Sequence, residues 1–261
     1  TKDIGFLSEC YEMIRACAKF FTINMVYYTD NGSPYIGKCT DLERLGSSVE
    51  NPFMTTCGAV KLLECCSKAA EILGIDKEYA DECKYISAKL FENLPVQNDM
   101  YTPFPGCKQR SIAVYAGKYP FDVLGNNDSK MIKAWEDFEE NGAAFGNMYP
   151  MGKGLSSWYA CWKAEGYART RMTDKAYEAL KQSYVSAGVF GELFEINEEK
   201  VRLRPWFATA AGIFVSTVNE MLLQSEEKNI TILPAFPHDL DVSFKLAAKG
   251  GITVEAEVKD G

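Results

Sequence analysis

Histidine is almost absent from this 261-residue sequence: His238 is the only one. One imidazole cannot furnish the ligand sets of histidine-based zinc centres. Its place in a Pro-Ala-Phe-Pro-His-Asp connector reads as an exposed linker position. Also missing is any Cys-x-x-Cys spacing among the nine cysteines, at positions 10, 17, 39, 57, 65, 66, 83, 107 and 161. Their number is odd, and a bridge between the adjacent Cys65 and Cys66 would be strained. They read as reduced thiols used as small hydrophobes, with no metal and no cofactor, in a cytoplasmic compartment. No run reaches the roughly 18 apolar residues of a membrane span, and no basic-then-apolar leader opens the chain. Nor is there a block of like charge; 28 Lys and Arg against 36 Asp and Glu leave a net −8. Nucleic acid and membrane are therefore excluded as expected partners.

What is present is globular composition, 47% hydrophobic and 25% charged, with periodicity that is mostly helical. Leu7, Tyr11, Ile14, Ala18, Phe21 and Met25 alternate steps of four and three, which predicts a helix over residues 4–28. The same spacing runs through Val60, Leu63, Cys66, Ala70 and Leu73 to a stop at Gly74. Asp76 then caps a helix whose inner face is Tyr79, Cys83, Ile86 and Leu90. Residues 95–127, dense in Pro, Gly, Asn and Asp, form a long irregular excursion with one strand pair. Further helices are predicted at 129–141, 154–171, 173–187 and 208–225, making seven. After Ser225 the period changes from 3.6 to 2. Ile230 and Ile232, Val242 to Leu246, and Ile252 to Val258 read as antiparallel strands, with Gly250-Gly251 at a hairpin turn.

This predicts a mainly α chain: a helical-hairpin domain over 1–228 and a small β module over 229–261. Thr1 leads almost directly into a helix, and Asp260-Gly261 is a turn dipeptide with nothing after it. The expectation is an incomplete helical domain and a truncated β module, cut from a longer chain. Apolar helix faces such as that of Tyr11, Ile14 and Phe21 are then expected to meet the remainder of the parent chain or a second copy.

Several motifs carry a family resemblance. Trp206-Phe-Ala-Thr-Ala-Ala-Gly-Ile-Phe-Val-Ser-Thr-Val-Asn-Glu-Met-Leu-Leu-Gln-Ser225 is followed by Ile230-Thr-Ile-Leu-Pro-Ala-Phe-Pro237 and Ala248-Lys-Gly-Gly251. Ser157-Trp-Tyr-Ala-Cys-Trp-Lys-Ala-Glu-Gly-Tyr-Ala-Arg169 lies upstream, and Ser48-Val-Glu-Asn51 precedes the helix that runs from Leu62 to Asp76. In this order they resemble the closing portion of the six-hairpin glycosidases, and are most similar to the inverting α-L-fucosidases of glycoside hydrolase family 95. The resemblance implies an (α/α)₆ toroid, of which a partial barrel is present, followed by a β module. The family's upstream asparagine pair, which positions the attacking water, has no counterpart, so this piece alone is expected to be inactive.

Inverting hydrolysis needs an acid on the leaving oxygen and a base on water across the ring, roughly 6.5–9.5 Å apart. By position Glu50 matches the family's general acid. Its Gly-Ser-Ser-Val-Glu-Asn-Pro-Phe loop offers Val49 and Phe53 to desolvate the carboxyl, so at least half burial is expected. The family's catalytic aspartate falls on Thr209, whose hydroxyl can hold a water but cannot act as a base near neutral pH. Asp41, Glu43, Glu192 and Glu195 are the nearest carboxylates along the chain, each read first as a surface group. Tyr149, Trp158, Trp162, Trp206 and Phe207 offer faces for sugar C–H surfaces, with Lys153 and Arg204 as hydroxyl partners. Trp158 and Trp162, spaced i, i+4, equally fit a packed core. The family's histidine-rich loop is replaced by Phe145-Gly-Asn-Met-Tyr-Pro-Met-Gly-Lys153, so fucose specificity is not carried over. The reading is a glycoside hydrolase acting on a carbohydrate substrate through Glu50. The alternatives are a lyase or phosphorylase, or a noncatalytic carbohydrate-binding or scaffold protein on the same fold.

Overall fold

The helical spacing from Leu7 onward folds as α1 (Ile4–Asn24) in the computed structural model, which describes residues 3–141, 156–185, 187–198, 201–226 and 229–259. Seven α-helices and short antiparallel strand pairs make up the described residues, in two compact units, Lys2–Glu140 and Asn141–Gly261.

In the first unit, Asp3 caps α1 by accepting from the Phe6 amide at 2.9 Å. The helix ends at Asn24 rather than near 28, because Val26–Tyr28 (β1) pairs antiparallel with Pro34–Ile36 (β2) across a turn in which Gly32 has φ 79°. A β-branched residue followed by two tyrosines fits a pleated strand better than a helix end, and Asn31-Gly32 is the hairpin signal that the helical period obscured. Helix α2 (Phe53–Leu73) begins well ahead of the Val60 repeat and stops at Gly74, φ 67°, whose amide bonds back to the last turn. Helix α3 (Lys77–Glu92) returns alongside it, forming an antiparallel hairpin. Ala18, Ile36, Val60, Leu63, Cys66, Cys83, Ile86 and Leu90 form the shared core.

Asp76 occupies the N-cap position of α3 but does not cap it: its φ is 48° and its side chain makes no bond to the helix. Instead its carboxylate accepts from the Tyr11 hydroxyl and pairs with Arg15, tying α1 to the α2–α3 turn. Burial, then the hydrogen bond to Asp76, pushes the Tyr11 pKa up to about 12. Tyr11 is buried, while Ile14 and Phe21 pack against the core. The apolar face expected to be open is therefore covered, and a different arc of α1 is exposed.

The excursion over 95–127 contains the strand pair Val96–Gln97 (β3) and Met100–Tyr101 (β4), and a buried 3₁₀ turn at Ile112–Tyr115. Helix α4 (Ser129–Asn141) packs its Trp135 flat on Tyr115, centroids 4.6 Å apart, while the indole N–H donates to the Val114 carbonyl.

In the second unit α5 (Ser157–Arg169) packs on α6 (Thr173–Tyr184) and α7 (Ala208–Leu222). Between α6 and α7 lies a hairpin absent from the sequence reading, Phe194–Glu198 (β5) with Val201–Pro205 (β6). Helix α7 stops at Leu222 rather than 225, where Leu223–Ser225 (β7) pairs with Ile230–Ile232 (β8). Val242–Ala248 (β9) and Ile252–Val258 (β10) form the expected antiparallel pair about Gly250 and Gly251, both at positive φ. Val254 and Ala256 lie against the cluster of Leu222, Leu223 and Phe244. All nine cysteines are free, five of them buried, and burial lifts the Cys83 thiol to about 12 and the Cys161 thiol to about 11. Among the described residues no helix is long and apolar enough to cross a membrane.

Leu63 is fully buried on α2. Leu63→Ala is expected to lower unfolding free energy by about 2–5 kcal/mol, read as an earlier urea midpoint. Lys84→Ala, at a side chain 72% exposed, is expected to stay within about 0.5 kcal/mol.

Candidate functional site

Glu50 sits on a backbone fixed from both sides. Cys39 and Val49 exchange both amide–carbonyl bonds at 3.0 Å, and the Asn51 amide donates to the Ile36 carbonyl at 2.8 Å. Asn51 itself is left-handed, φ 47°, a conformation that asparagine tolerates better than most residues. Its Nδ2 donates to the Asn93 carbonyl at 2.9 Å, while Asn93 donates to Pro34 at 3.0 Å. The Ser-Val-Glu-Asn segment is thus bound to both the β2 strand and the end of α3.

The burial expected for the Glu50 carboxyl is not found. Val49 and Phe53 turn into the core and Glu50 points outward, exposed. Alternation accounts for this: anchoring Val49 inward in the bridge sends its neighbour the other way. Glu50 lies near Tyr35, whose pKa is raised by burial first and then by Glu50.

Of the substitute carboxylates in this unit, Glu43 is exposed on a 3₁₀ turn. Asp41 is not a plain surface group: its Oδ1 accepts from the Thr55 amide at 2.8 Å and the Thr55 hydroxyl at 2.6 Å, in the first turn of α2. Its pKa is raised because burial outweighs those bonds. Asp41 is the cap that α2, which begins after Pro52, lacks from its own preceding residue.

In the second unit, Trp206 follows β6 with φ 59°, and Arg204 has φ 53°. A left-handed conformation is uncommon for bulky residues, and such strain clusters at binding and active sites. Trp206 is 66% exposed and edges a cavity of about 310 Å³ walled by Tyr184, Leu193, Phe207 and Phe214, with Glu192 on its rim. Glu192 folds back onto its own turn, accepting from the Phe190 amide at 2.9 Å. A Cβ at Gly188 would meet its Oε1 at 1.9 Å, so a side chain there would displace the Glu192 carboxylate. Arg204 pairs with Glu195, which is buried rather than on the surface as expected. Thr209 is exposed on the first turn of α7. Trp158 stacks on Trp162 at 5.8 Å and meets Phe207 edge-on at 6.0 Å, so the i, i+4 pair is part of the packing beside the cavity. His238 is exposed. Tyr149 and Lys153 lie outside the described residues.

Sequence reasoning passed over Glu165, which is fully buried on α5. Its Oε1 accepts from Arg169 Nε at 3.0 Å and from the Ser216 hydroxyl of α7 at 3.1 Å, and Arg169 also pairs with Glu220 at 3.4 Å. The signal was there: Glu165 and Lys163 are the only charges between Trp158 and Ala168, on a helix apolar nearly all round. Gln224 Nε2 donates to the Ala168 carbonyl at 2.7 Å, so the Tyr-Ala-Arg and Glu-Met-Leu-Leu-Gln-Ser segments bind one another directly.

Over 117 residues, 40% of this chain, the sequence is 28% identical to alpha-L-fucosidase 2 of Arabidopsis thaliana, and the match spans 13% of that protein's length. No protein-family model matches the chain. The likeness is thus to a glycosidase, and it is partial.

Burial raises the Glu165 pKa against the opposing pull of Arg169. The folded state therefore holds this proton more tightly than the unfolded chain, whose value is about 4.3. Stability from this group falls as pH rises from there through the raised folded value. Relative to wild type, Glu165→Gln is expected to gain stability steadily across that window in urea titrations at a series of pH values; a pH-independent difference would refute the assignment.

Proposed function

We propose that this chain is part of a glycoside hydrolase of the six-hairpin (α/α)₆ type, similar to family 95, with Glu50 as the general acid. The observation that carries the reading is the Ser-Val-Glu-Asn segment, whose backbone is held from both sides and so keeps Glu50 in one place despite its exposure. The α2–α3 and α5–α6 pairs, each joined by a short turn, suit hairpins of such a barrel. The partial likeness to a plant alpha-L-fucosidase supports glycoside chemistry.

In this mechanism Glu50 gives its proton to the glycosidic oxygen as the C–O bond breaks, with Tyr35 close by. Separately, within the second unit, Trp206, strained and exposed beside an aromatic cavity, offers a platform for a sugar ring, with Arg204 reaching hydroxyls and Trp158 packing behind Phe207. Thr209, in that same unit, can hold a water but cannot act as a base near neutral pH. A second reading, a noncatalytic carbohydrate-binding protein, is favoured by that same Thr209, which stands where the resemblance places an aspartate.

Hydrolysis of α- and β-aryl-glycosides, by this chain and by any longer protein that carries it, separates the two. Glu50→Gln is expected to lower kcat by about 10²–10⁴-fold for poor leaving groups, and far less for dinitrophenyl glycosides, which need no protonation. Binding of the same glycosides that is weakened by Trp206→Ala, without turnover by any form, would establish the second reading instead. Turnover unaffected by Glu50→Gln would remove Glu50 from the mechanism.

A further inference from the structure

The hairpin beside Glu50 carries aromatic rings of its own. Tyr27 of β1 and Tyr35 of β2 stand directly opposite one another across the ladder, on the face away from the buried Val26, Pro34 and Ile36. Their ring centroids are 6.2 Å apart and the planes are tilted by 38°. Tyr27 is 53% exposed and Tyr35 partly so. Gly37 follows on the same face, where a Cβ would run into the Tyr27 ring, so that ring rests against backbone bare of any side chain. The frame is the one that holds Glu50. The Ile36 carbonyl accepts from the Asn51 amide at 2.8 Å and the Pro34 carbonyl from Asn93 at 3.0 Å, while the Gly37 amide donates to Met25 at 2.8 Å. Both neighbours of Tyr35 are thereby bonded to the Ser-Val-Glu-Asn segment or to the asparagine that segment grips.

We propose that Tyr27 and Tyr35 form a platform for a pyranose ring of an oligosaccharide, and that this ring is the leaving group whose oxygen Glu50 protonates. The second half of this statement rests on the glycosidase reading of Glu50; the first does not. Two half-exposed tyrosines offer π faces edged by hydroxyls. A wholly apolar ligand on so open a surface would stay half in water. A pyranose, with C–H groups on its faces and hydroxyls around its edge, stacks while its hydroxyls remain solvated. Position and openness assign the role. A general acid works at the oxygen between the cleaved sugar and the departing group, and the cleaved ring must be gripped and distorted. A two-ring platform without walls gives no such grip, but it is enough to hold a ring that leaves. Because the hairpin and the acid share one hydrogen-bonded frame, the ring is presented to Glu50 without rearrangement.

Saturation-transfer NMR on the 261-residue chain tests the platform, with cellobiose, lactose, maltose and xylobiose as probes and Trp206→Ala as the background, so that the second unit's tryptophan contributes nothing. At least one disaccharide is expected to bind through the C–H protons of one ring. Tyr27→Ala is expected to raise its Kd about tenfold, and Tyr27→Phe, which keeps the π face, less than about threefold. Gly37→Ala displaces the Tyr27 ring without removing it, and is expected to weaken binding as Tyr27→Ala does, with an unchanged circular dichroism melt. Binding of none of the four sugars, or binding indifferent to both Tyr27→Ala and Gly37→Ala, overturns the platform. The leaving-group role is read separately, in any longer protein that carries this chain and turns such sugars over. There Tyr27→Ala is expected to raise KM for the disaccharide about tenfold and to leave methyl glycosides, which lack a second ring, within about twofold. Equal losses on both overturn that role. Tyrosine-dependent binding with no turnover by any form also overturns it, together with the glycosidase reading, and leaves the platform standing.

Discussion

A carboxylate with no access to water constrains the second unit more than any other group. Glu165 must keep a cation and a donor within reach, and it finds them on its own helix in Arg169 and on α7 in Ser216. Removing one member of a buried ion pair typically costs about 3–5 kcal/mol, because the remaining charge is left in a low-dielectric interior. Arg169 extends the set to Glu220, and Gln224 closes it against the Ala168 carbonyl. The rotation and height of α7 against α5 are therefore set by polar geometry as well as by shape. Everything α7 carries at its start, Trp206, Phe207 and Thr209 included, takes its position from that register.

These bonds give the most recognisable letters of the sequence a structural role. The Tyr-Ala-Arg end of α5 and the Glu-Met-Leu-Leu-Gln-Ser end of α7 are two halves of one clamp. A protein that keeps the clamp keeps the fold, whatever stands at Thr209. Resemblance through such residues speaks to architecture first and to chemistry second.

The helices were legible because their apolar faces repeat at 3.6 residues, and Gly74 and the Gly250-Gly251 turn were legible because few residues other than glycine adopt their backbone angles. What escaped were short strands whose identity depends on a partner. Val26–Tyr28 continues the α1 spacing through Met25 and becomes a strand only because Pro34–Ile36 is there to pair with it. Asp76 looked like a cap, yet Tyr11 and Arg15, more than sixty residues away in sequence, compete for it more effectively than the adjacent helix does. At the site, the position of Glu50 in a loop before a helix was readable. Its exposure was not, since that follows from Val49 being pulled inward by Cys39. Asp41 and Glu195 were misjudged for a related reason: a loop carboxylate is a surface group until a helix end or an arginine claims it.

The Cys39–Val49 bridge has a bearing on how such a site diversifies. It closes the base of a loop whose tip, the 3₁₀ turn at Glu43–Leu45, lies beyond Asp41 and its hold on α2. Lengthening a flexible loop tip costs little, about 0.6 kcal/mol for each doubling, and the bridge keeps that change from reaching the residue after Val49. Insertions and deletions at the tip can then alter what lies near Glu50 while its carboxylate stays where it is, so this corner of the fold can explore new neighbours without re-evolving its anchor.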